Sequence, residues 1–126
     1  MATPLAKVEG LGSAKGGTRH WWQQRASALA LLPLTVWFVV SMASLAGADH
    51  GTLVTWMRLP LVTALLVLFI GLLFFHFQLG ARVVIEDYVP DERGKFLALA
   101  ALNAFVWVFG LLAMLPVLRI FFEGAS

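Results

Sequence analysis

His76 and the cluster Glu86-Asp87-Tyr88 are the residues of this sequence whose types best suit chemistry. An imidazole can ligate a metal or relay a proton, and a carboxylate beside a phenol can pass protons and hydrogen-bond a carbonyl group. His76 interrupts a long apolar run, where an unpaired histidine is costly, so it is a candidate functional residue. Two explanations stay open for it: a ligand position, or an imidazole that bonds a neighbouring helix.

The spacing of these residues indicates two sites on one helix. Asp87 follows His76 by eleven residues, which is close to three helical turns, so both side chains lie on nearly the same face. A rise of about 1.5 Å per residue separates them by roughly 16 Å, too far for one shared contact. Gly80 lies on this face and lets a flat group or another helix approach the backbone closely. Tyr88 is either an interfacial aromatic residue or a donor to a carbonyl group.

Membrane-spanning helices are the elements predicted to position these residues. The chain of 126 residues is 60% hydrophobic and 13% charged, with a mean hydropathy of +0.86, which is too apolar for a soluble domain of this length. Three continuous apolar runs, at about residues 22–46, 60–84 and 95–122, each reach the ~20 residues that a spanning helix needs. Continuous runs favour helices over a β-barrel. We predict an all-α membrane protein with three transmembrane helices, in which residues 1–20 form a flexible cytoplasmic leader and residues 21–126 the anchor domain.

The positive residues indicate how the chain crosses the membrane. Most of them flank one end of the predicted spans: Lys7, Lys15, Arg19, Arg25, Arg82, Arg93 and Lys95. Only Arg58 and Arg119 lie at the other end, so the positive-inside rule places the N-terminus in the cytoplasm. Because these charges form no stripe, nucleic acid is not a predicted partner. The chain has no cysteine, which excludes disulfides, thiolate haem ligation and iron–sulfur ligation by its own residues.

Arg25 and Ser27, at the start of the first span, allow two interpretations. Beside Trp21 and Trp22, Arg25 suits an anchor at the headgroup interface. Alternatively, both residues turn toward the bundle, where a guanidinium can hold a carboxylate such as a haem propionate and a hydroxyl can hydrogen-bond a ligand. In the third span, Asn103 is the only strongly polar interior residue, and it is predicted to hydrogen-bond between helices.

These features together resemble a known family. His76 followed by Asp87-Tyr88 in the second of three spans, with Arg25-Ala26-Ser27-Ala28 opening the first, is similar to the hydrophobic membrane anchor subunit, the D chain, of succinate dehydrogenase (respiratory complex II). The resemblance covers about residues 19–122. Its specific motifs lie in the second span and at the start of the first.

The resemblance implies a role for each candidate residue. His76 is expected to be an axial iron ligand of haem b, and Ser27 and Arg25 are expected near this cofactor, with Arg25 close to the haem propionates or the quinone pocket. Tyr88 is expected to hydrogen-bond a ubiquinone carbonyl, while Asp87 delivers protons or holds the tyrosine. One histidine fills one axial position, so a bis-histidine haem needs a second ligand from another chain.

The resulting hypothesis is a redox anchor that is not catalytic on its own. The expected partners are a second membrane anchor subunit (the C chain), an iron–sulfur subunit, a flavoprotein subunit and membrane lipid, in a bacterial inner membrane. The complex would transfer electrons from succinate to ubiquinone in the tricarboxylic acid cycle and respiratory chain. Two alternatives stay open: a fumarate reductase-type anchor, which differs in the direction of electron flow, and a non-redox assembly or transporter subunit in which His76 packs or relays protons.

Overall fold

The computed structural model describes residues 11–123 and, from residue 18 onward, their side chains. It contains four helices: α1 (Leu11–Ser44), α2 (His50–Met57), α3 (Pro60–Tyr88) and α4 (Glu92–Glu123). No strand occurs between residues 11 and 123. The helices α1, α3 and α4 are each long and apolar enough to cross a membrane. The prediction of an all-α protein with three spanning helices is therefore confirmed.

The first helix begins at Leu11, ten residues before the position at which the sequence predicts the anchor domain to start. Residues 11–20, which belong to the predicted flexible leader and show no helical periodicity in the sequence, are helical in the structure, while the flexibility of the leader stays a prediction. The physical reason is that a helix already formed by a packed segment extends at little cost, one hydrogen bond per residue, without apolar periodicity of its own. Residues 1–10 lie outside the described residues, and the cytoplasmic location of the N-terminus stays a prediction.

The connection between the first two spanning helices contains α2, a short helix that the apolar pattern does not predict. Gly47 has a φ of 81°, a conformation that glycine adopts without strain, and it turns the chain after α1. Asp49 then caps α2, because its side chain accepts a hydrogen bond of 2.9 Å from the Thr52 N–H. Hydrogen bonds from the side chain and the backbone N–H of Thr52 lower the pKa of the Asp49 carboxyl group. We call this part of the molecule the short-helix end.

The opposite end of the bundle holds the turn between α3 and α4, and we call it the acidic end because Glu86, Asp87, Asp91 and Glu92 lie there. The Asp91 carboxylate accepts a hydrogen bond of 2.9 Å from the Gly94 N–H at the start of α4. A side-chain acceptor at this position satisfies one of the free N–H groups of a helix N-terminus. The cap explains why the chain can turn here and enter the third span within a few residues.

The helix α3 lies between the other two spanning helices and contacts both of them. A small apolar core of Val62, Leu66 and Val117 lies where α3 meets α4 near the short-helix end. Closer to the acidic end, Gln78 of α3 donates a side-chain hydrogen bond to Asn103 of α4. The prediction that Asn103 bonds between helices is therefore confirmed.

Much of the remaining apolar surface is exposed in this single chain. Large apolar side chains on the outer faces of the helices, including Leu32 at 62% and Trp107 at 67%, have most of their surface accessible. Apolar exposure of this extent marks surfaces that contact lipid or other proteins. Lipid or other protein chains are thus expected to cover these faces, and the interior formed by the described residues is confined to the contacts around α3.

Candidate functional site

His76 occupies the second half of α3 and is half-buried there. The helix begins at Pro60, which suits the first turn because its missing N–H would be unpaired at that position. No second proline occurs within α3, and the helix continues without interruption to Tyr88. His76, Gly80 and Asp87 therefore lie on one continuous helix, as the eleven-residue spacing requires.

One ring nitrogen of His76 is bonded to α1. The Ser27 hydroxyl oxygen lies 2.8 Å from His76 Nδ1, and Ser27 is only 3% exposed. The same hydroxyl donates to the Gln24 carbonyl oxygen at 3.0 Å. This contact confirms that the imidazole bonds a neighbouring helix, but it occupies only Nδ1. No residue within 18–123 provides a hydrogen bond to Nε2, so the ligand explanation stays open for that nitrogen.

His76 also lines an open cleft whose other walls are apolar and mostly aromatic. The cleft has a volume of about 430 Å³, and its further lining residues are Leu73, Phe74, Phe77 and Phe105. Phe77 of α3 and Phe105 of α4 lie with their ring centroids 5.8 Å apart. An imidazole at the edge of an apolar, aromatic surface can hold a flat apolar cofactor through a single metal bond.

The face of α3 that carries His76 and Gly80 is in contact with α1. A Cβ atom added to Gly80 would lie 3.8 Å from Gln24 Nε2, which shows that α1 runs close to the α3 backbone here. Sequence reasoning allowed a flat group or another helix at Gly80, and within this chain the neighbour is the helix α1. The approach of α1 at Gly80 places Ser27 within hydrogen-bond distance of His76.

Two further polar residues, which the sequence analysis did not single out, lie on the same side of α1. His20 Nε2 and Gln24 Oε1 are buried, and the described residues offer neither of them a hydrogen-bond partner. His20, Gln24 and Ser27 follow the i, i+4, i+7 spacing of one helix face, a signal that could have identified them. Buried polar atoms of this kind need a water, a ligand or another subunit to satisfy them.

Arg25 does not share the environment of Ser27. It is exposed, and its guanidinium carbon lies 5.2 Å from the centre of the Trp21 ring, a distance that suits a cation–π contact. Residues two apart in a helix differ by roughly 200° in direction, so Ser27 faces α3 while Arg25 faces away from it. The two residues therefore do not turn together toward His76 within this chain.

The candidate residues at the acidic end are open to their surroundings. Tyr88, the last residue of α3, is 79% exposed, and Glu86 and Asp87 are exposed as well. In the described part of the chain, no group of three or more His, Cys, Asp or Glu residues could hold a metal ion. A binding pocket around Tyr88 thus requires surfaces beyond those that residues 18–123 supply.

A larger cleft lies elsewhere, and none of the predicted site residues lines it. Its volume is about 800 Å³, and it lies at the short-helix end, where α2 meets the last turns of α4. Arg119 and Glu123, which line it, form an ion pair of 3.0 Å in which both side chains are mostly exposed. Exposed pairs of this kind contribute little to stability. The residues whose arrangement suits ligand binding lie instead around His76.

Comparison with protein families gives one match over most of the chain. Residues 1–112 match the model of the succinate dehydrogenase/fumarate reductase transmembrane subunit family. No solved structure matches the chain.

Individual relatives agree with this match. The succinate dehydrogenase hydrophobic membrane anchor subunit of Paracoccus denitrificans is 37% identical over 93 residues, which cover 74% of this chain and 72% of the relative. The subunit of the same name from Rickettsia conorii is 31% identical over 90 residues, 71% of each chain. The succinate dehydrogenase membrane anchor subunit of Reclinomonas americana is 28% identical over 88 residues, 68% of this chain and 73% of the relative.

Proposed function

This chain belongs to the succinate dehydrogenase/fumarate reductase transmembrane subunit family, and we propose that it anchors a succinate dehydrogenase at the bacterial inner membrane and supplies residues to its haem b and ubiquinone sites. The partners in this proposal are a second membrane anchor subunit, an iron–sulfur subunit and a flavoprotein subunit. The extensive exposed apolar faces of the helices support such an assembly. Cytoplasmic placement of the N-terminus, from the positive-inside rule, puts the acidic end on the cytoplasmic side.

His76 is the proposed axial ligand of the haem iron, and Nε2 is the nitrogen that binds it. The observation that carries this proposal is that Ser27 bonds Nδ1, that no residue within 18–123 bonds Nε2, and that His76 lines an apolar, aromatic cleft. A histidine ligand commonly has its second nitrogen bonded in this way, which fixes the ring orientation. The donor set of this chain therefore fits a haem that takes its other axial ligand from the second anchor subunit. When bound, the haem would accept and return single electrons.

Tyr88 and Asp87 are the proposed contribution to the ubiquinone site. Both are exposed at the acidic end, so the Tyr88 hydroxyl is free to donate a hydrogen bond to a quinone carbonyl. The Asp87 carboxylate, within reach of water, can supply protons to the reduced quinone or hold the tyrosine. Because Tyr88 is 79% exposed in this chain, we propose that other subunits complete the pocket.

Arg25 is proposed to contact a haem propionate or the quinone pocket at the boundary with the second anchor subunit. Its guanidinium carbon lies 5.2 Å from the centre of the Trp21 ring, and because the side chain is exposed, its N–H groups are available to a carboxylate. Since Arg25 faces away from α3, we expect this contact on the outer side of α1. Ser27 is not proposed to touch the same carboxylate.

The decisive experiment is the reduced-minus-oxidised spectrum of the purified complex with His76→Leu. We expect the b-type haem signal to be lost, because leucine cannot ligate iron. His50→Leu is the matched control, since His50 lies at the short-helix end, far along the chain from the proposed site, and it should leave the spectrum unchanged. Subunit composition and succinate oxidation with an artificial acceptor establish that the complex is assembled. An unchanged haem signal in assembled His76→Leu complex would rule out the ligand role.

A fumarate reductase-type anchor is the second candidate, and the family description, which names both enzymes, favours it. The two differ in the direction of electron flow through the same kind of anchor. Rates of quinone reduction by succinate and of fumarate reduction by quinol, measured on the purified complex, distinguish them. The relatives described above are named as succinate dehydrogenase subunits, which supports succinate oxidation.

A further inference from the structure

We infer that Ser27 is a positioning residue that selects the tautomer of His76, so that Nδ1 carries the ring proton and Nε2 presents a bare lone pair. The inference rests on the proposed role of His76 as a haem ligand and assigns to Ser27 a function different from contact with the cofactor. The inference depends on which of two neighbouring acceptors receives the hydrogen of the Ser27 hydroxyl group.

Two acceptors compete for the hydrogen of the Ser27 hydroxyl. The Gln24 carbonyl oxygen lies 3.0 Å from Oγ, and His76 Nδ1 lies 2.8 Å from the same atom. A carbonyl oxygen can only accept, whereas a neutral imidazole nitrogen either donates or accepts, depending on the tautomer. Both contacts can be hydrogen bonds at once only if Ser27 donates to Gln24 and accepts from Nδ1–H.

The reverse arrangement makes one hydrogen bond fewer. If the Ser27 hydroxyl donated its hydrogen to Nδ1, no hydrogen would remain for a bond to the Gln24 carbonyl oxygen. A neutral imidazole carries one ring proton, so that proton would then be on Nε2, which could not bind iron. The geometry around one serine therefore favours the tautomer that a metal ligand requires.

Burial makes this selection effective. Ser27 is 3% exposed, so water has little access to the hydroxyl group and does not replace a lost hydrogen bond. A buried polar group without its hydrogen bond therefore destabilises the structure by its full desolvation penalty. Serine in a helix also commonly bonds a carbonyl one turn back, as Ser27 does with Gln24. The hydroxyl hydrogen is thus held by α1 itself, and the imidazole must supply the second bond.

The close packing of α1 against α3 sets the distance between the two groups. Gln24 Nε2 would lie 3.8 Å from a Cβ atom at Gly80, one turn along α3 from His76. This contact keeps the backbones near each other on the side of α1 that carries Ser27. The ring of His76 is therefore held at Nδ1 before any ligand reaches Nε2.

Substitution of Ser27 in the purified complex tests the inference. Ser27→Ala removes the acceptor for Nδ1–H and should weaken haem binding by roughly 10- to 100-fold, the usual effect of losing the partner of a metal-bound histidine. The midpoint potential of the haem should shift as well, since the ligand loses its hydrogen bond. Ser27→Thr retains the hydroxyl and should restore both properties, whereas Ser27→Val, similar in shape to threonine, should not.

Ser44→Ala is the matched control. Ser44 lies on the same helix and also donates to a carbonyl oxygen three residues back, at 2.8 Å, but it is exposed. Its substitution should change neither haem affinity nor potential. If Ser27→Ala or Ser27→Val complexes assemble with the affinity and potential of the wild type, the inference is overturned.

A measurement on the complex with Ser27 unchanged covers the case in which the Ser27 variants do not assemble. In complex produced without haem and labelled with ¹⁵N-histidine, the signals that His76→Leu removes belong to His76. We expect a protonated Nδ1 and an unprotonated Nε2, and the opposite pattern would overturn the inference. Retention of haem by His76→Leu would instead refute the proposed ligand role, so the two failures are distinguishable.

Discussion

The Gln78 side-chain amide donates a hydrogen bond to Asn103, and this bond joins α3 to α4 two residues beyond His76. Polar bonds of this kind between membrane helices contribute on average about 0.6 kcal/mol and at most about 1.7 kcal/mol. We expect Asn103→Leu to destabilise the assembled complex by about 1 kcal/mol, because it leaves the Gln78 amide without its partner. The loss of haem absorbance with rising temperature measures the effect.

A double-mutant cycle isolates the contribution of this pair. Gln78→Leu together with Asn103→Leu removes both polar groups, so the double variant should be more stable than the sum of the two single effects indicates. Strict additivity would show that the two side chains do not interact in the complex.

Substitutions of Gly80 test whether the contact between α1 and α3 supports the proposed binding of haem by His76. Gly80→Ala should be tolerated, because the new methyl group would meet Gln24 at an ordinary contact distance of 3.8 Å. Gly80→Leu should push α1 away and break the bond between Ser27 and His76, so we expect a lower haem content per complex. Ala64→Leu, at an exposed position on the same helix, is the control and should retain the haem. A wild-type haem content in Gly80→Leu would contradict the proposed coupling.

The sequence predicts the long helices well because their physical cause is local. A continuous apolar run in lipid must satisfy its backbone hydrogen bonds internally, and only a helix does so within one segment. The relation between His76 and Asp87 follows from the same regularity, since α3 continues as far as Tyr88. The prediction of Asn103 as a bond between helices rested on the cost of a lone amide in lipid, and it is confirmed.

The partner of Ser27 could not be predicted in the same way. Ser27 and His76 are 49 residues apart, and which faces of two helices meet depends on packing that involves the whole bundle. The opposite directions of Arg25 and Ser27, in contrast, follow from their two-residue spacing. The helix α2 was not predicted because its formation depends on the Asp49 cap and on contacts with α3 and α4. The pattern of apolar residues in the sequence shows neither of these.

Asp49 makes the short-helix end sensitive to pH. Hydrogen bonds that it accepts from the side chain and the backbone N–H of Thr52 lower the carboxyl pKa below the ordinary value of 3.8. The cap therefore stabilises α2 above pH 3.8, and this contribution is lost as the pH falls through the lower pKa of the folded state. Asp49→Asn should retain the cap at neutral pH and lose this pH dependence, whereas Asp49→Ala should speed hydrogen exchange at Thr52. Equal exchange in all three proteins at pH 7 would show that the cap is unimportant.

Tyr88→Phe tests the proposed quinone contact, because it retains the ring and removes the hydroxyl. We expect ubiquinone reduction by the assembled complex to fall at least ~10-fold, since the donor to the quinone carbonyl is lost. Succinate oxidation with an artificial acceptor should not change, because it does not use the membrane site. Normal ubiquinone reduction by assembled Tyr88→Phe complex would show that the hydroxyl has no role.

The two adjacent acids of α3 can be separated by the direction in which they point. Asp87 lies on the face of α3 that carries His76 and Gly80, while Glu86 is displaced from it by roughly 100°. We therefore expect Asp87→Asn to slow ubiquinone reduction about 10-fold or more through lost proton transfer, with the larger deficit at high pH, where few protons come from water. Glu86→Gln changes the charge by the same amount one residue away and should leave the rate near that of the wild type. The rates of the two variants across a range of pH values decide between the acids. A deficit in Glu86→Gln alone would move proton delivery to Glu86.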